Sequence, residues 1–398
     1  MDSDVIRDFA FDAMPLIPPE NNQYCAKKCE RSHQMESIRA KIRSRIVTDF
    51  PWRNDAPSSA SLKVRMIMSE TTIEPLLNSS VREGYHLLRN GAGHLLPPGR
   101  GVVELRGGDR KGWLQGQVTN DLRHFQPASF LQFCMCSPTG QLEAACSLWG
   151  LEDRFIIASD ANGLDVLRHR VEKMVILEDV TVSNPDSVMV NIQGPLATER
   201  LAKYVELPSL NAADVDFNGT TVTVLRSNRT GSGGWVVLIP KSAPEILKII
   251  QDEFPVIDSL AYKIACLEFG TPTLGVDTNS KTLPPELGPM FESATINYKK
   301  GCYQGQEVLM RIHSRGHVNK IWMGLYTDEL VQSGDPIFHP SRGEVGVITS
   351  AYESPDYGFI AAGYVRRETA YSGEEVVIHS GEAKVGGELV DMPILKIV

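Results

Sequence analysis

The sequence predicts an α+β fold that ends in a small antiparallel β-barrel, and three observations carry this. The chain has 398 residues, too many for one compact core. From about residue 70 to 317, short strand and helix patterns alternate irregularly rather than as strict βαβ units. Beyond about 318 the helical periodicity vanishes and only short strands between Gly, Pro, Ser and Asp turns remain.

Residues 72–89 read as a helix leading into the turn-rich stretch Gly91 to Gly101. Val102 to Arg106 is a short strand, and Asp109 stands at the cap of a helical stretch with Trp113, Leu114 and Val118 on its apolar side. Arg154 to Ser159 is a strand, followed by a helix whose Leu164, Leu167, Val171 and Met174 share a face. Val188 to Gln193, Thr220 to Leu225 and Trp235 to Ile239 are strands, with helices near 195–205, 242–253 and 257–268. The barrel strands are Ile321 to Thr327, Glu344 to Tyr352, Phe359 to Arg366 and Glu374 to Ser380.

Residues 1–68 differ from the rest. They carry net charge +2 against −11 for the remainder, and Pro15, Pro18, Pro19, Pro51 and Pro57 interrupt any periodicity. Apart from one short basic helix at Ile38 to Ile46, this extension is expected to be poorly ordered. Asp2, Asp4, Asp8 and Asp12 argue against an organelle transit peptide, which favours a cytoplasmic location over a mitochondrial or plastid one. The expected units are 1–68, an extension; 69–317, interleaved α+β lobes; and 318–398, the barrel.

The formal charge of −9 supplies no field for general nucleic-acid attraction, and no apolar run reaches membrane-spanning length. Seven scattered cysteines form neither a disulfide framework nor a paired zinc ribbon, so a reducing compartment is expected. Cys25 and Cys29, and Cys134 and Cys136 on one face of a strand, read as incidental or buried thiols rather than metal ligands. His313 and His317 could share a helix face, but nothing supplies a third ligand, and they read as polar loop residues.

The most distinctive segment is Lys299-Lys300-Gly301-Cys302-Tyr303-Gln304-Gly305-Gln306-Glu307, followed by the apolar helical pattern of Val308, Leu309 and Ile312. Lysines and a helix N-terminus beside a thiol favour its thiolate. Gly301 and Gly305 leave backbone amides open to a ligand, and Gln306 and Glu307 offer an amide and a carboxylate suited to a heterocycle. Arg311 can instead pair with Glu307 one turn away. The competing reading is a glycine turn that docks a helix, with Cys302 as core filler.

The string K-G-C-Y-x-G-Q-E with Arg311 resembles the signature of the YgfZ family and its mitochondrial relatives, within the glycine-cleavage T-protein superfamily. Leu105 to Asp109 and Trp113-Leu114-Gln115-Gly116-Gln117-Val118-Thr119-Asn120-Asp121 resemble a second superfamily segment. Ser137-Pro138-Thr139-Gly140, Gln193-Gly194-Pro195 and the run from Glu268 through Gly275 are further echoes. The resemblance implies a three-domain ring whose central channel binds tetrahydrofolate. It also implies a role in assembling or repairing iron–sulfur proteins, with an effect on cluster-dependent tRNA modification. Cys302 would be the reactive residue. Asn120, Asp121, Lys300, Gly301, Tyr303, Gly305, Gln306, Glu307 and Arg311 would bind the folate. The expected partners are folate and iron–sulfur cluster proteins or carriers, with no direct nucleic acid and no membrane.

Two departures from the T-protein pattern bear on activity. Leu142-Glu143-Ala144-Ala145 stands where aminomethyltransferases carry a pair of aspartates, with Glu143 one position out of register. Arg229-Thr230-Gly231-Ser232-Gly233-Gly234-Trp235 lacks a pterin-binding glutamate. Ordinary glycine-cleavage chemistry is therefore not expected. Trp235 reads as core rather than a pterin platform. A non-enzymatic scaffold for cluster proteins, or a one-carbon transferase using Glu143, Glu307 or Cys302, are the alternatives.

Overall fold

The computed structural model describes residues 77–97 and 99–395. The extension 1–68, the Cys25–Cys29 pair and the first residues of the 72–89 helix lie outside the described residues.

The chain enters through α1 (Ser79–Asn90) and β1 (Gly93–Leu95). It continues through β2 (Arg100–Arg106), α2 (Arg110–Gln115), β3 (Phe130–Cys136), β4 (Leu142–Gly150), β5 (Arg154–Asp160), α3 (Ala161–Met174) and β6 (Thr181–Ser183). Next come β7 (Ser187–Gln193), α4 (Ala197–Leu201), β8 (Ala212–Phe217), β9 (Thr220–Arg226), β10 (Gly234–Pro240), α5 (Pro244–Glu253) and α6 (Ser259–Glu268). Then follow α7 (Pro289–Thr295), α8 (Gln306–Arg315) and the barrel strands β11 (Lys320–Thr327), β12 (Pro336–His339), β13 (Gly343–Ser354), β14 (Gly358–Arg366), β15 (Glu375–Ser380) and β16 (Ala383–Val390).

These strands form two five-stranded sheets, in the orders β1-β7-β10-β9-β8 and β3-β4-β5-β2-β6, and a closed barrel, β11-β14-β13-β12-β15-β16. The lobes interleave, because β1 pairs with β7 across the whole second sheet. Helices α2 and α3 cover one sheet, α4 and α5 the other. Trp149 and Ile156 meet Leu225, Val236 and Leu238 between the two sheets. The Trp149 indole N–H donates to the Arg226 carbonyl at 2.9 Å, which satisfies the one polar atom this burial would otherwise strand.

Strand alternation explains the cysteines of β3. Cys134 and Cys136 face the core shared with the barrel, whereas Phe133 and Met135 face the lobe core. The Asp109 expectation needs correction. Asp109 does stand before α2, but no side-chain cap bond forms, because its carboxylate instead accepts from the Asp179 amide at 2.8 Å.

Two buried carboxylates clamp the barrel to the lobes. Glu268 at the end of α6 pairs with Arg89 of α1 and accepts from the hydroxyls of Tyr85 and, on β13, Ser354. Asp277 accepts from Thr349 at 2.6 Å and Ser350 at 2.8 Å, also on β13. Burial pushes both carboxyls above their usual range, opposed at Glu268 by Arg89 and at Asp277 by Thr349. Among the described residues no helix is long and apolar enough to cross a membrane.

Candidate functional site

Three sequence motifs converge on the surface beside β3. The loop after α7 is stitched to residues 115–121. The Thr119 hydroxyl donates to the Thr295 carbonyl at 2.6 Å, and the Asn297 amide to the Thr119 carbonyl at 3.1 Å. The Lys300 ammonium donates to the carbonyls of Gln115, Val118 and Asn120 at 2.6, 2.5 and 2.9 Å. All three of its N–H donors are thereby used, on carbonyls left over where α2 ends. Burial pushes this amine down to about 8, and Asp121 opposes that shift. The three carbonyl acceptors also favour the charged form, so the ammonium acts as a cation clamp on the turn.

Asn120 and Asp121 belong to that platform. The Asn120 amide donates to the carbonyls of Gln132 at 2.8 Å and Ala294 at 2.9 Å. Asp121 accepts from Arg123, whose hydrogen bonds hold its carboxyl down at about 2. Both side chains are committed to protein partners.

The glycines of the third motif allow the loop to close. Gly305 has φ +85° and Gly140 +84°. A Cβ on Gly305 would stand 2.5 Å from the Ser137 carbonyl oxygen, so only glycine fits this approach. The Gln304 amide donates to the Cys136 carbonyl at 3.1 Å, and the Gln306 side chain accepts from the Tyr303 amide at 3.1 Å. Tyr303 is buried beneath the Lys300 ammonium, 5.0 Å from its ring centre. Cys302 and Gly301 are exposed, whereas Cys134, Cys136, Cys146 and Cys266 are buried.

Glu307 and Arg311 lie on the exposed side of α8 and form no ion pair with each other. His313 stacks on Tyr298 with ring centres 3.8 Å apart, and His317 lies beyond the end of α8. The helix therefore does not bring the two histidines together. Trp235 is core: it is 1% exposed and its indole donates to Thr198 at 2.9 Å.

A separate, narrow cleft opens between the lobes and the segment leading to α7. Arg100, Arg229, Gln132 and Ser147 supply its polar walls, with Leu274 and Phe291 on the apolar side. That mixture of cationic, polar and apolar walls is of the kind that contacts a polar heterocycle. On β4 the wall is Ala145, Cys146 and Ser147, and among the described residues no carboxylate lines the cleft. Glu143 is paired with Arg170, whose guanidinium also reaches the Cys136 carbonyl at 2.6 Å. None of the residues that the signature implicates in ligand binding lines this cleft. Arg100, Gln132 and Phe291 carried no sequence signal: Arg100 fell in the turn-rich stretch Gly91 to Gly101, and no motif covered Gln132 or Phe291; Leu274 lies inside the run from Glu268 through Gly275.

Residues 59–291 match the GCVT N-terminal domain, more than half of the chain, and residues 320–396 match the glycine cleavage T-protein C-terminal barrel domain. The chain belongs to the glycine cleavage T-protein family. Within this family it is 23% identical over 220 residues to the tRNA-modifying protein YgfZ of Vibrio vulnificus, covering 55% of this chain and 65% of that protein. It is 26% identical over 341 residues to an aminomethyltransferase of Listeria monocytogenes, covering 81% of this chain and 91% of that one. The fold matches the glycine cleavage system aminomethyltransferase T of Bartonella henselae with TM-score 0.72 at 19% identity, over 79% of this chain and 89% of that structure. Relatives of both names stand at similar identity, so sequence likeness places the chain in the T-protein family as a whole.

Proposed function

We propose that this T-protein family member is a tetrahydrofolate-binding accessory factor for assembly or repair of iron–sulfur proteins, with Cys302 as its reactive thiol. The observation that carries this reading is the division of the chemistry. The cleft between the lobes offers arginines, amide and hydroxyl groups but Ala145 where an acid would be needed, while the exposed thiol stands on a separate, rigidly held loop. A cleft whose described residues include cations but no carboxylate favours an anionic heterocycle and offers no general base for aminomethyl transfer among those residues. Arg100 and Arg229, which already have partners within the chain, would contact the carboxylates of the folate alongside those partners, and Phe291 its apolar surface. YgfZ relatives are named as tRNA-modifying proteins, which fits an effect exerted through a cluster-dependent modifying enzyme.

Anaerobic calorimetric titration of the full chain with tetrahydrofolate tests the first half of the reading. Saturable binding that Arg229→Ala weakens supports it, and absence of binding by folded protein removes folate from the function. Cells that depend on the chain test the second half. Cys302→Ala should lower the activity of cluster-containing enzymes, and unchanged activity would favour a scaffold in which the thiol has no part. Methylene-tetrahydrofolate formed from an amine donor would instead favour a one-carbon transferase.

A further inference from the structure

The exposed side of α8 carries cations that the rest of the described chain does not neutralise. Residues 296–320 hold five Lys or Arg and a single acid, Glu307, in a chain of formal charge −9. Two of the five are engaged: Lys300 on its three carbonyls, and Lys320 beside Glu286 at 3.8 Å and over the Tyr364 ring. Lys299, Arg311 and Arg315 are exposed and enter no ion pair among the described residues. Arg311 and Arg315 lie one turn apart, about 6 Å along the helix axis. Met310, 38% exposed, and Ser314 adjoin them, while Leu309 anchors the opposite face in the core. The loop that feeds the helix exposes Gly301 and Cys302.

We infer that this face docks an acidic protein surface, with carboxylates at helical spacing meeting Arg311 and Arg315 and an apolar group meeting Met310. The charge distribution selects that occupant. The acidic remainder of the chain repels an anionic partner, and the local cations attract it, so the field orients it toward α8. A nucleic-acid backbone calls for a continuous cationic track. Here the exposed Glu307 carboxylate and the Met310 thioether interrupt the track, a mixture that suits a protein surface bearing a donor for Glu307. Docking would set the partner beside Cys302. That consequence rests on the proposed function, whereas the docking itself does not.

The test is fluorescence anisotropy of the full chain with a labelled helical peptide carrying glutamates one turn apart, at low salt and at about 150 mM. Arg311→Glu/Arg315→Glu should weaken binding at least tenfold, while Lys248→Glu, an exposed cation on α5, should leave it unchanged. A peptide with lysines in place of the glutamates should then bind the double variant better than wild type. Unaltered binding by the double variant, or failure of the reversed peptide to regain it, would overturn the inference. So would a single-stranded RNA that binds tighter than the acidic peptide. Cys302→Ala should bind the peptide as wild type does, so loss of docking and loss of the thiol's role are read separately.

Discussion

Gly305 packs directly on Gly140: a Cβ built on Gly305 would stand 3.3 Å from the Gly140 Cα and 2.5 Å from the Ser137 carbonyl oxygen. The contact joins the loop bearing Cys302 to the β3–β4 turn. Gly305→Ala combines a left-handed backbone with a backbone overlap, so it should cost about 2–4 kcal/mol. Urea unfolding checks this. A variant as stable as wild type would mean that the loop can move off the turn.

The second clamp on that loop is Lys300. Lys300→Met keeps the apolar stem but leaves the Gln115, Val118 and Asn120 carbonyls without their donor. The expected loss is about 1–3 kcal/mol. Hydrogen exchange should rise in residues 115–121 and 296–305 together, since each segment holds the other. Exchange rising in only one of them would contradict the coupling.

Much of this architecture was legible because strand and helix periods are local. Arg154–Asp160, Thr220–Arg226 and Lys320–Thr327 fall where the apolar patterns put them. Three of the strands that the patterns missed have separate physical causes. β16 carries Gly386 and Gly387 at its centre, and a Cβ on Gly387 would stand 2.8 Å from Ile378, so packing removes the side chains that would have marked it. β8 alternates its two aspartates with half-buried residues, and β12 has four residues, too few to show a period. At the site, the motifs disclosed which segments matter but not what they touch. Asn120, Asp121 and Lys300 read as ligand groups; in the fold Asp121 bonds its own neighbours Gln115 and Arg123, and Asn120 and Lys300 fasten one motif to another. Such contacts span more than 170 residues of sequence and leave no local pattern.

Asp121 should reveal its role through pH. Its carboxyl is held at about 2 by Arg123, against about 3.9 in an unfolded chain. A depressed carboxyl contributes stability above the unfolded value, and that contribution is lost as pH falls through the folded one. Asp121→Asn should therefore be less stable than wild type at pH 6, and the gap should narrow as pH falls from about 4 towards about 2. Thermal unfolding of both proteins across that range measures it. A constant gap would mean the contact is not ionic.

The thiols should separate by accessibility. Burial pushes Cys136 and Cys146 up to about 12, and Cys134 well up also, so each resists alkylation in the folded chain. Cys302 is exposed. With N-ethylmaleimide at pH 7.5, peptide mapping should find Cys302 labelled at least about tenfold faster than these three. Comparable labelling of Cys134 or Cys136 would mean that β3 opens readily in the native state.

The Glu268–Arg89 pair joins α6 to α1 at the point where Glu268 also accepts from Ser354 of the barrel. Arg89→Met removes the cation beside a fully buried carboxylate and leaves only the Tyr85 and Ser354 hydroxyls to stabilise its charge. Breaking such a pair costs roughly 3–5 kcal/mol, whereas removing both charges costs much less. Arg89→Met/Glu268→Gln should therefore recover most of the stability that Arg89→Met loses. The sign of the pH effect follows from burial, which raises the Glu268 carboxyl and, without Arg89, raises it further. A raised carboxyl is best accommodated protonated, and stability falls as pH climbs through its folded value. The deficit of Arg89→Met should accordingly be larger at pH 8 than at pH 5. Equal deficits at both, with no recovery in the double variant, would show that Arg89 contributes through its bonds to the Thr230 carbonyl and Ser232 hydroxyl and its packing on Tyr85, 5.2 Å from its ring centre, and not through the ion pair.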